Sequence, residues 1–130
     1  MARSMYELFT GTVHARKDKV AAQIKVNGAW RDQTWGELDR VARAAAAGLV
    51  KLGVQPKEMV SIMSNTRIEW VQADLGILGA GATTVPIYQS SVADDVQYIV
   101  NDSGSVVVFV EDDAQLKKMR AVRAQVPKVR

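Results

Sequence analysis

Between residues 59 and 110 three short apolar runs, Met59 to Met63, Thr83 to Ile87 and 106–110, alternate with two stretches whose apolar residues recur every three or four positions. No other feature restricts the fold as much, because strand-like and helix-like periods that alternate in this way describe β-α-β units. The runs are continuous rather than apolar at every second residue, which is the pattern of strands covered on both faces. Right-handed helical crossovers then join parallel strands. The expected fold class is α/β, three layers with a mainly parallel sheet and helices on both faces, preceded by an N-terminal helix and a β-hairpin.

The punctuation between these runs is specific. Thr34 and Glu37 have capping-box spacing, and Trp35, Leu38, Val41, Ala42, Ala45, Leu49 and Leu52 form the apolar stripe of the helix they start. Gly53 stops it and Pro56 prevents resumption. The alanines at 44–47 imply a closely packed neighbour. Ser64 and Asn65 read as a cap after the first run, and Thr66 with Glu69 repeats the capping-box spacing before a helix that buries Ile68, Val71, Leu75 and Leu78. Gly79 and Gly81 end that helix. A further helix over 93–101 stops at Gly104, and a last one begins near Asp113, buries Leu116, Met119, Val122 and Val126, and is closed by Pro127. Upstream, residues 4–17 have loose helical spacing. Residues 19–26 and 29–34 flank Asn27-Gly28, a pair suited to a two-residue hairpin turn. Two strands alone are marginal in water, so the hairpin needs support from something larger. The 130 residues read as a single α/β unit, 1–33 being the leading helix and hairpin and 34–130 the alternating part.

Several chemistries are excluded or disfavoured. Without cysteine there is no disulfide, thiol nucleophile or thiolate-bound metal. The charged first nineteen residues lack the apolar centre of a secretory signal. Residues 75–93 carry no charge, yet their glycines and Pro86 fit a helix followed by a buried strand better than a membrane span. The glycines of Gly76 to Gly81 follow a helix and precede a strand, the reverse of a dinucleotide-binding loop, and so read as packing and chain reversal. His14, the only histidine, is expected on the surface or in packing. The acidic groups Asp94-Asp95 and Glu111-Asp112-Asp113 fall where first helical turns favour negative charge. Trp30, Trp35 and Trp70 read as core anchors. Six basic residues follow Asp113 and leave the first 113 with a formal charge of −3. No aromatic residue interleaves with them, so a solvated helix face is favoured over nucleic-acid binding. Lys117 and Lys118 open the last helix, near the sheet edge where α/β proteins bind ligands.

The TWGEL of Thr34 to Leu38, VARAAAAGLVKLGV, SNTRIEWVQADLGILGAGATTVPIY, DDVQYIVNDS and VVFVEDDAQLKK together resemble the front portion of the adenylate-forming enzymes. VPIYQSS followed by YIVNDS is similar to their long-chain fatty acyl-CoA synthetase branch. The resemblance implies an enzyme that joins ATP to a long-chain fatty acid with Mg²⁺ and passes the acyl group to CoA. It also implies that the phosphate loop, the Thr-Glu pair, the ribose-binding aspartate and the lid lysine lie beyond Arg130, since none occurs here. The segment is then part of a large N-terminal domain, a scaffold in the sense that no catalytic or metal-binding residue transfers to it, and no cofactor is expected to bind it tightly. Lys117 and Lys118 are the candidates for a CoA phosphate contact. The expected partners are the remainder of the polypeptide, the fatty acid and further copies of the chain, in the cytoplasm, with peripheral membrane contact and no transmembrane segment. A free-standing α/β interaction module, and less so a nucleic-acid-binding domain built on the basic last helix, stay open as alternatives.

Overall fold

The computed structural model describes residues 3–130. Helix α1 (Met5–Arg16) is followed by strands β1 (Val20–Val26) and β2 (Ala29–Thr34), then α2 (Trp35–Lys51), β3 (Met59–Met63), α3 (Ile68–Gly79), β4 (Thr83–Ile87), α4 (Ala93–Ser103), β5 (Val107–Val110) and α5 (Asp113–Ala121). β3, β4 and β5 form a parallel sheet in the order β4-β3-β5. β1 and β2 pair antiparallel in a separate hairpin whose turn residues both have positive φ, Asn27 at 50° and Gly28 at 83°.

Strand β3 shows why the sheet is covered twice. Val60 and Ile62 point into one apolar cluster with Leu49 of α2 and Ala73 and Ile77 of α3. Met63 points into another with Ile87, Val96 and Val100 of α4 and Met119 of α5. β5 alternates in the same way, Phe109 toward the first cluster and Val108 and Val110 toward the second. Ser61 is the exception within β3: fully buried, its hydroxyl meets that of Ser105 at 2.7 Å, and Ser105 meets Ser103 at 2.8 Å. α1 lies outside this sandwich, where Phe9 and Val13 pack with Leu38 and Ala42 of α2.

The alanine-rich face of α2 crosses α3 at very short range. A β-carbon on Gly76 would stand 2.5 Å from that of Ala45 and 3.2 Å from the Ala42 carbonyl oxygen, so only glycine fits without a shift. The packing reading of the Gly76 to Gly81 run holds in that respect.

Both N-terminal helices begin with a reciprocal capping box. Thr34 and Glu37 behave as their spacing predicts, and Ser4 with Glu7 does the same for α1. Gly104 ends α4 in the left-handed conformation. Five expectations need correction. Val71 of α3 is exposed rather than buried, the buried residues of that helix being Ala73, Gly76 and Ile77. Thr66 and Glu69 form no capping box: α3 starts from Arg67, without a side-chain cap, because Arg67 pairs with Glu69 instead. Ser64 and Asn65 likewise do not cap it. The last helix ends at Ala121, and a 3₁₀ turn over Arg123–Gln125 leads to Val126, which is still buried. Trp30 is not a core residue but is 66% exposed, while Trp35 and Trp70 are partly buried.

The basic tail is only partly a solvated helix face. Arg123 donates to the carbonyls of Val126 and Val129. Arg130 donates to the Gly53 carbonyl and to Glu58, which draws the C-terminus back beside the start of β3. The hydrogen bonds to Glu58, that from the Gln55 N–H first and those from Arg130 second, hold its carboxyl below the usual range.

Candidate functional site

Parallel pairing aligns the carboxyl ends of β3, β4 and β5, so the segments that follow Met63, Ile87 and Val110 meet on one edge. Two polar struts shape that edge. The first is Glu111, one residue past β5. Its Oε2 accepts from the Ser64 hydroxyl at 2.9 Å and the Asn65 N–H at 2.6 Å, and its Oε1 accepts from Asn65 Nδ2 at 2.8 Å. These donors, the Asn65 N–H foremost, hold the Glu111 carboxyl below the usual range, with Arg67 adding an attractive charge.

The second strut is Lys118 of α5. Its ammonium donates to the Gln89 carbonyl and, at 2.9 Å, to that of Ser91, and so fixes the loop between β4 and α4. Lys117, its neighbour, is exposed. The two lysines paired by sequence therefore part ways: one charge is spent on backbone carbonyls, and the other faces solvent.

Half-buried Trp70 separates two open hollows along this edge. One, of about 220 Å³, is lined by Ile62, Arg67, Phe109 and Glu111 among others. The other, of about 430 Å³, lies between the Ser64–Thr66 turn and Tyr88-Gln89. The first places an apolar floor under a charged rim. In that rim the Arg67 and Glu69 side chains form an exposed ion pair at 2.7 Å, which raises the guanidinium pKa and lowers that of the carboxyl. Exposed pairs of this kind add little stability, so its effect is on local charge.

Sequence reasoning placed Lys117 and Lys118 at this edge but missed the part played by Glu111, which it grouped with helix-start acids. Asp112 and Asp113 do serve α5, Asp112 accepting from the Gln115 N–H at 2.9 Å, and Asp94 and Asp95 lie in the first turn of α4. His14 is exposed on α1. The signal for Glu111 was the strand register itself: with Met63 beside Val110, the next residues along, Ser64 and Glu111, become neighbours.

The family model for AMP-binding enzymes matches residues 9–130. The chain belongs to the AMP-binding enzyme family. Within it, the long-chain-fatty-acid–CoA ligase FadD15 of Mycobacterium tuberculosis is 42% identical over 113 residues, which are 87% of this chain and 19% of that protein. The uncharacterised protein Rv1549 of the same organism is 33% identical over 83% of this chain and 61% of its own length. The crystal structure of a fatty acyl-adenylate ligase from L. pneumophila, in complex with acyl adenylate and pyrophosphate, superposes with a TM-score of 0.80 at 29% identity, over 92% of this chain and 21% of that one. This AMP-binding family member thus spans about a fifth of FadD15 and of the adenylate ligase, and its α/β unit with a parallel three-stranded sheet is the fold of the N-terminal region of such enzymes.

Proposed function

We propose that this chain forms the front part of the large N-terminal domain of an ATP-dependent long-chain fatty acid–CoA ligase. The ligase activates the fatty acid as an acyl adenylate with loss of pyrophosphate, then transfers the acyl group to the CoA thiol. The observation that carries this reading is the 42% identity with FadD15 over nearly the whole chain. ATP, Mg²⁺ and CoA are the cofactors of the whole enzyme. Among the described residues no three carboxylate or histidine side chains converge, and both Glu111 oxygens are engaged by hydrogen bonds. The segment's contribution is structural. It sets the strand-end edge, with the Glu111 and Lys118 struts holding the turns that line the two hollows.

For the CoA phosphate, exposed Lys117 is the better contact of the pair, since Lys118 already serves Gln89 and Ser91. In the full enzyme, Lys117→Glu raises the KM for CoA and spares adenylate formation, whereas Lys118→Glu perturbs both by freeing the loop. Equal KM values in wild type and Lys117→Glu remove the assignment. The chain's partners are the remaining polypeptide and other copies of itself, met through the open edges of β4 and β5, in a cytoplasmic protein with peripheral membrane contact. Sedimentation as a strict monomer at high concentration contradicts the self-association.

The decisive assay is pyrophosphate release dependent on ATP and palmitate. The expected outcome is none from the isolated 130 residues and release by the uninterrupted ligase that carries them; release by the isolated chain, or none by the ligase, overturns the reading. The match to Rv1549 over 61% of its length favours one second reading, a short α/β module that acts by binding a partner.

A further inference from the structure

The hairpin tip joins exposed apolar surface to positive charge. Trp30 is 66% exposed and Val26 44%. Lys25 and Arg31, both exposed, stand on either side of the Asn27-Gly28 turn. Asp32, the acid nearest in sequence, is turned to Gln23, whose Nε2 donates to it at 2.8 Å. The Trp30 ring belongs to none of the three apolar clusters, and its recorded aromatic contact is the Lys25 ammonium at 5.8 Å.

A core role does not explain a ring placed there. Cross-strand pairing of Lys25 with Trp30 is part of the explanation, but it leaves most of the indole in water. An indole on a tight turn flanked by cations suits the boundary between water and hydrocarbon, where the ring is sheltered, its N–H stays wet and the cations meet phosphate. A second copy is a poorer occupant, because a two-fold contact at the tip would set Lys25 and Arg31 against their own counterparts.

We propose that the β1–β2 hairpin tip is an end-on contact for anionic lipid headgroups, with Trp30 on one face of the hairpin and Val26 on the other entering the interfacial layer while Lys25, beside Trp30, and Arg31, on the Val26 face, meet the phosphates. The contact lies on the bilayer, not through it: no described helix is long and apolar enough to cross a membrane. The proposal rests on the long-chain acyl reading for its choice of a lipid surface, as the place where such chains accumulate.

The test is vesicle co-sedimentation and tryptophan emission of the chain with phosphatidylcholine alone and with added phosphatidylglycerol. The expected result is binding and a blue shift only with the anionic vesicles, weakened by salt. Trp30→Thr, which keeps β propensity, abolishes the shift although Trp35 and Trp70 remain. Lys25→Ser and Arg31→Ser each lower partitioning about fivefold. The proposal is overturned by equal binding to both vesicles, by no binding, by a blue shift that survives Trp30→Thr, or by a lipid-free dimer that Trp30→Thr dissociates. A thermal melt of each variant keeps unfolding from passing as lost binding. No ATP or turnover enters the measurement, so its failure leaves the ligase assay unaffected, and the reverse also holds.

Discussion

The parallel unit and the hairpin are both small sheets, yet they are held together by different means. Four of the five residues of β3 are buried, and helices cover it on both faces. Four of the six residues of β2 are exposed, and the hairpin depends on its turn, its cross-strand pairs and one covered side. Burial over both faces makes each side chain of the parallel unit answer to many neighbours, whereas the hairpin can change locally. Rigidity is thereby concentrated where the strand ends meet, and surface variety is left to the hairpin.

The largest test of this contrast is Ile77→Ala. Ile77 is fully buried between α3 and the sheet, and the substitution should lower unfolding free energy by about 2–5 kcal/mol in urea titration. A cost comparable to that of a surface substitution would break the comparison. Gly76→Ala comes next, at about 1–3 kcal/mol, because the added methyl meets Ala45 in a crossing that cannot open freely. In the hairpin, Gly28→Ala has open space around its new methyl but keeps a φ of 83°. It should cost about 1 kcal/mol, read as faster amide exchange in β1 and β2 with protection of β3 unchanged. Loss of β3 protection as well would show the two sheets to unfold as one.

The smallest effect concerns Glu111. Its carboxyl is lowered in the folded chain, so its stabilisation is complete above the ordinary glutamate value of 4.5 and fades as pH falls through the lower folded value. Asn65 amide protection should fall over that range below pH 4.5, and Glu111→Gln should flatten the response. An unchanged Asn65 profile in that variant would remove the strut.

Local grammar was legible where the contacts are local. Thr34 with Glu37, the Asn27-Gly28 turn and the Gly104 stop each depend on residues within a few positions, and the element order followed from them. The same grammar misled at Thr66 and Glu69. There Glu111, distant in sequence, takes the Asn65 N–H and the Ser64 hydroxyl, and Arg67 takes Glu69, so α3 starts one residue later, from Arg67, and the Thr66–Glu69 spacing falls out of step with it. Trp30 was misplaced for another reason. Its size suggests burial, but the turn sets it opposite Lys25 on the hairpin's uncovered side. Of the candidate site, Lys117 and Lys118 were found by position alone, and what separates them, the carbonyls of Gln89 and Ser91, depends on a loop that only the tertiary fold brings near.

The hydroxyls of Ser61 and Ser105 carry a consequence for assembly of the sheet. Strand β3 is otherwise apolar, and Ser61 alone among its side chains makes a polar contact that depends on its alignment with the chain leading into β5. A slip in that alignment would strand the Ser61 hydroxyl in a dry interior, whereas Ser105 would keep Ser103. The pair therefore acts as an alignment key that favours one threading of neighbouring strands over its near alternatives.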